Sequence, residues 1–133
     1  MSENKRDGAV RSYQGLVVWQ RAMDLTELIY SLVQRFPRSE IYGLTSQTTR
    51  AAVSVATNIA EGNSRGTRRD YAHFLSIAHG SLSETETCLL VAVRIGYLSD
   101  HEIEKAFALS TEIGKMLTTL RSRVLANATE KRD

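Results

Sequence analysis

Few residues in this chain are able to do chemistry, and their spacing argues against catalysis. The three histidines, His73, His79 and His101, are scattered. A carboxylate-bridged metal pair in a helical bundle takes a Glu from each of two helices and a Glu-x-x-His pair from each of the others. No glutamate here has a histidine three residues on, and HExxH is absent. Cys88, the single cysteine, lies between Thr87 and Leu89 with no histidine at helical spacing, the setting of a small core side chain rather than a nucleophile. Glu84 and Glu86 stand two apart, on different faces of a helix, and make a poor acid–base pair. GxSxG, Walker and GxGxxG motifs are missing too. The chain reads as a non-enzyme with no metal and no cofactor.

Two other clusters suit binding. Gln47, Arg50, Ser54, Asn58 and Glu61 recur at steps of three, four, four and three, one line along a helix. The positions between them are small and apolar: Ala51, Ala52, Val53, Val55, Ala56, Ile59 and Ala60. Such a line is either a softened solvated face or an interface facing another helix or subunit, with a ligand-facing line as a third role. The interface reading is preferred, because a helix with so little charge is expected to be covered on most sides. Ser76, Ser81 and Glu84 offer partners on the following helix, and an Arg50–Glu84 pair held from water needs full satisfaction to be tolerable. The second cluster is Arg65, Arg68 and Arg69, in a run from 62 to 69 without an acid. It precedes a helix whose first N–H groups point toward anions, so it is read either as an RNA-phosphate contact or as an ordinary solvated turn.

The totals agree with a folded binding module. A length of 133 residues fits one domain, and 42% hydrophobic with 24% charged residues excludes a disordered or fibrous chain. One proline and eight glycines are too few for the many turns of an all-β protein. The net charge of +2 is too small to mark a nucleic-acid binder by itself. A lone cysteine excludes an intramolecular disulfide and fits a reducing compartment. The polar N-terminus and the lack of an apolar run of about 20 residues predict a soluble, cytoplasmic chain with no membrane partner.

Four helices position these residues. A flexible arm is expected over 1–14, a bundle over 15–127 and a frayed tail over 128–133. The first helix runs 17–36 on Val18, Ala22, Leu25, Ile29, Leu32, Val33 and Phe36, and Pro37 stops it. The second runs 44–61, with Thr45 or Ser46 as its cap and Gly62 as its exit. The third runs 67–95, opened by Thr67 with Asp70 and closed by Gly96. The fourth runs 100–127 behind a Ser99–Glu102 capping box, with Ile103, Phe107, Ser110, Ile113, Leu117, Leu120 and Val124 inward. Short connections make neighbours antiparallel, so the predicted fold is an all-α, up-down four-helix bundle without a sheet.

Several strings also carry a family resemblance. Val18-Trp19-Gln20, Phe36-Pro37, Tyr42-Gly43-Leu44, Gln47, Arg50-Ala51, Ser54, Asn58-Ile59-Ala60-Glu61-Gly62, Phe74-Leu75 and Gly80-Ser81 together resemble the four-helix-bundle proteins of 23S rRNA intervening sequences. The likeness covers roughly 14–98, and His79 stands where a basic Arg is expected. It implies bacterial cytoplasmic proteins that assemble as ring-like homopentamers without an established activity, some encoded inside 23S rRNA genes. The family is also similar to the accessory variability determinant of diversity-generating retroelements, a basic pentamer associated with a reverse transcriptase and nucleic acid. The partners this implies are further copies of the chain, and RNA or an RNA-handling protein. The alternative is a protein–protein adaptor without nucleic-acid affinity. Five copies would turn Arg65, Arg68 and Arg69 into a basic ring.

Overall fold

The computed structural model describes residues 12–131, and side chains to 127. Four α-helices account for most of it: α1 (Val17–Leu32), α2 (Leu44–Asn63), α3 (Arg68–Arg94) and α4 (Glu104–Lys131). Consecutive helices pack side by side, and α4 closes against α1, which makes an up-down four-helix bundle with no strand among the described residues.

The apolar stripes read from the sequence are the core. Val18, Ala22, Leu25, Ile29, Leu32, Val33 and Phe36 are all buried on α1 and its exit turn. Leu75, Ala78, Leu82, Thr85, Leu89 and Ala92 of α3 face Ile103, Ser110, Ile113, Leu117 and Val124 of the α4 side in the same interior. The buried side of α2 is made of small residues, Thr48, Ala51, Ala52, Val55, Ala56, Ile59 and Gly62. Small side chains let backbones approach, and α2 and α3 form the most intimate pair in the bundle.

Helix ends follow local chemistry where that chemistry is local. The turn Val33–Arg35 tightens to a 3-10 helix and Phe36 is extended before Pro37, as the proline demands. Thr67 caps α3 by accepting the Asp70 N–H at 3.1 Å. Gly96, at φ 90°, ends α3 with its N–H on the Val93 carbonyl at 3.1 Å and the Tyr97 N–H on Ala92 at 2.8 Å, a Schellman closure. Ser99 and Glu102 form the reciprocal box, Ser99 N–H to Glu102 Oε1 at 2.8 Å and Glu102 N–H to Ser99 Oγ at 3.2 Å. The turn behind that box is 3-10 (His101–Ile103), so α4 proper begins at Glu104 rather than 100.

Four further boundaries differ from expectation. Neither Thr45 nor Ser46 caps α2; Glu40 does, its Oε1 accepting the Leu44 N–H at 3.0 Å from outside the helix. Gly62 does not end α2. It is buried inside the last turn, where an added Cβ would lie 2.8 Å from the Phe74 Cβ and 3.1 Å from the Tyr71 carbonyl oxygen, so its lack of a side chain is what lets α3 approach. Ser12–Gly15, which takes in the end of the arm expected over 1–14, is a 3-10 turn packed on the bundle, with the Tyr13 ring edge-on to Trp19 at 5.4 Å. The rest of that arm lies outside the described residues. At the other end α4 extends to Lys131, past the predicted stop at Asn127.

Candidate functional site

The polar line on α2 divides in two. Its middle is a network between helices: the hydroxyls of Ser54 and Ser81 share a hydrogen bond at 2.8 Å. The Asn58 amide donates to the Ser54 hydroxyl at 2.9 Å and to the Ser54 carbonyl at 2.8 Å. Next to them Thr85 is buried, and its hydroxyl returns to the Ser81 carbonyl at 2.8 Å. The predicted α2–α3 polar contact is therefore made by Ser54 and Ser81.

The two ends of the line behave otherwise. Gln47, Arg50 and Glu61 are exposed, as are Glu84 and Ser76 on α3. No Arg50–Glu84 ion pair forms among the described residues, and both side chains are exposed. The expected buried pair is thus replaced, within one copy, by two open charges beside a satisfied hydroxyl cluster. Glu61 instead receives Arg65 one turn on, Nη1 to Oε2 at 3.0 Å. That contact exists because α2 continues through Gly62.

The same interaction changes the arginine cluster. Arg65 also approaches Asp70 at 3.6 Å and lies over the Phe74 ring, 5.2 Å from its centroid. It is engaged by two carboxylates and a ring, contacts that spacing alone did not show. Arg69 is exposed and Arg68 half-buried at the start of α3. The antiparallel run of α4 adds a component that spacing did not show. Arg121 shares a surface with Leu75 and Ser76, and Arg123 with Gly15 and Leu16, so both belong to the bundle end that holds the 61–70 connection. Among the described residues that end carries Arg65, Arg68, Arg69, Arg121 and Arg123 with the acids Glu61 and Asp70, Arg121 on the α3 side of α4 and Arg123 on its α1 side.

A cleft between α3 and α4 is lined by His79, Ser83, Glu86, Ser110, Gly114 and Lys115. Its one buried hydroxyl, Ser110, donates to the Glu86 carboxylate, a contact not foreseen from sequence. That bond ties the serine to an acid, not to the histidine, so a Ser–His relay is not assembled. Among the described residues no three His, Cys, Asp or Glu converge as a metal set. Cys88 is buried between α2 and α3, where burial pushes its thiol up from the ordinary range despite a hydrogen bond with Thr48. No helix among the described residues is long and apolar enough to cross a membrane.

An up-down bundle with a small-residue α2–α3 seam, a hydroxyl network across it and open charges at its flanks defines an all-α four-helix-bundle protein. The family model for the 23S rRNA-intervening sequence protein matches residues 14–119. The chain belongs to that family. Among solved structures it is similar to a protein of unknown function from the S23 ribosomal protein family of Bacteroides thetaiotaomicron, at 26% identity and a TM-score of 0.73, over 79% of this chain and 98% of the other. No curated protein sequence matches it.

Proposed function

We propose that this chain is a non-enzymatic scaffold that assembles with copies of itself, as a ring of five, and presents a basic end to RNA. The observation that carries the assembly is the uncovered state of Arg50, Gln47 and Glu84 around the satisfied Ser54–Ser81 contact. A helix otherwise so poor in charge exposes few groups to water for their own sake, and open charges beside small residues suit a subunit seam. The RNA reading draws on the bundle end where Arg68, Arg69, Arg121 and Arg123 face solvent or lie half-exposed. Repeated around a ring, that end sums into a field that one copy, at +2 overall, does not have.

Binding of a short single-stranded RNA at rising salt tests it. Affinity is expected to fall on a log–log line whose slope counts the phosphates neutralised, about 0.7 per contact. Replacing Arg68, Arg69, Arg121 and Arg123 by Gln should flatten the slope, whereas Arg65→Gln alone should change it little. An unaltered slope in the fourfold variant, or no binding at low salt, rejects the RNA reading. The engagement of Arg65 by Glu61 and Asp70 favours the second reading, an adaptor for a protein partner, whose complex would survive high salt.

A further inference from the structure

The cleft between α3 and α4 holds two adjoining cavities, of about 590 and 340 Å³. His79 and Thr118 line both, so the two form one groove. Lys115 belongs to the first and Arg121 to the second. Six residues of α4 separate these two cations, about 9 Å at the helical rise. Glycines on both walls leave room between them. Nothing lies within 4 Å of a Cβ added at Gly80, and one added at Gly114 would stand 3.7 Å from His79 Nε2. The His79 ring is thus laid from α3 toward α4, midway along the groove.

Charge in the groove is one-sided except at one end. His79, Lys115 and Arg121 make no ion pair and no side-chain hydrogen bond among the described residues. The acid in the lining is Glu86, in the cavity away from Arg121, and the Ser110 hydroxyl already holds it. Glu112, one turn before Lys115, pairs with Arg21 on the α1 side. Two cations with a ring between them are left open to a ligand.

A ligand that suits this arrangement carries negative charge at separated points and a flat group between them. A lone phosphate meets only one of the two cavities. An RNA strand has phosphates in succession, and its bases stack on rings, histidine among them, once they are unstacked from one another. A duplex keeps its bases inside and offers the groove phosphates alone. Arg121 also belongs to the arginine end of the bundle, so a strand held at that end is led into the groove.

We infer that the α3–α4 cleft holds a segment of single-stranded RNA, with phosphates at Arg121 and Lys115 and a base against His79. The inference rests on the RNA reading above and deepens it. It selects a single strand over a duplex, and it adds Lys115 and His79, which the arginine end does not contain.

Fluorescence anisotropy with a labelled oligouridylate, alone and annealed to oligoadenylate, tests the assignment. Lys115→Gln should reduce the salt slope by about 0.7, the share of one phosphate contact. His79→Ala should weaken the single strand at fixed salt by about fivefold or more, the loss of one base–ring stack. Gly80→Leu fills the groove without changing charge, at a position where the fold has room for a side chain. It should weaken the single strand at least as much as His79→Ala, with an unchanged helical circular-dichroism spectrum. Wild-type binding in His79→Ala and Gly80→Leu, with the fourfold arginine variant impaired, overturns the cleft and leaves the bundle end as the RNA contact. Equal affinity for single strand and duplex overturns it as well. A wild-type chain that binds neither at low salt overturns the cleft and the RNA reading together.

Discussion

Glu40 and Tyr97, 57 residues apart, are joined by a 2.7 Å hydrogen bond from the phenol to a carboxylate that also caps α2. The backbone N–H of Leu44, and secondly the Tyr97 hydroxyl, hold the Glu40 carboxyl below its usual range. The Ser99 N–H, with Arg35 nearby, does the same for Glu102. Both groups are ionised more readily in the folded chain than in the unfolded one, where a glutamate titrates near about 4.3. Their contribution is therefore complete above that value and is lost as pH falls through the lower folded values. The melting temperature is expected to drop on acidification below about pH 5, and Glu40→Gln should lessen that drop. Melts at a series of pH values decide it; identical acid sensitivity in the variant would show that Glu40 is not linked to folding.

Gly62 faces Phe74 with no room for a methyl group. Gly62→Ala gains helix propensity of about 1 kcal/mol, but its Cβ meets the Phe74 Cβ and the Tyr71 backbone, neither of which is a flexible chain end. The clash wins, and we expect a net loss of about 1–3 kcal/mol in urea titration. Gly80, also helical, has nothing within 4 Å of an added Cβ. Gly80→Ala should leave the single chain unharmed or up to about 1 kcal/mol more stable. Equal effects at the two sites would contradict this packing of α2 on α3.

Arg50 separates folding from assembly. Open in the single chain, it should cost under about 0.5 kcal/mol of chain stability when replaced by alanine. If it lies in a subunit seam, the same variant should dissociate at higher protein concentration than the wild type, read by sedimentation across a dilution series. A loss of more than about 2 kcal/mol from the monomer would instead mean that Arg50 is half of a buried pair.

Cys88 should resist thiol reagents. Burial raises its pKa and blocks access, so reaction must wait for local opening. Labelling of the native chain is expected to be at least about a hundredfold slower than in denaturant, the factor set by an opening free energy of about 3 kcal/mol. A rate near that of a free thiol would place Cys88 outside the α2–α3 seam.

Much of the fold was legible because its signals are local. The stripe from Val18 to Phe36, the Ser99–Glu102 box and Gly96 each act within one or two turns, and each lies where the period places it. The misreadings share a cause. Glu40 displaced Thr45 and Ser46 as the cap by folding back from an adjoining turn, and its position is fixed by Tyr97 from the far side of the molecule. Gly62 looked like an exit because glycine commonly ends helices, whereas here its value lies in what it omits against Phe74. Ending α2 early also hid the Glu61–Arg65 pair, an i,i+4 contact that a longer helix makes obvious. Of the candidate site, Ser54 was legible as part of a line and Ser81 as its partner. Arg121 and Arg123 were not, since only the antiparallel return of α4 carries them to the arginine end.

The join between α3 and α4 is specified twice within eight residues, by the glycine closure at Gly96 and by the serine box at Ser99. Both signals are made by residues of this join itself, although Arg35 at the exit of α1 also pairs with Glu102. We therefore expect this hairpin to form first, with the small-residue α2 arriving later against a surface already set. That order would give the Glu40–Tyr97 bond a late place, as the clasp that records arrival of the α2 start rather than as a guide to it. Substitutions at Ser99 should slow refolding, and substitutions at Glu40 should hasten unfolding.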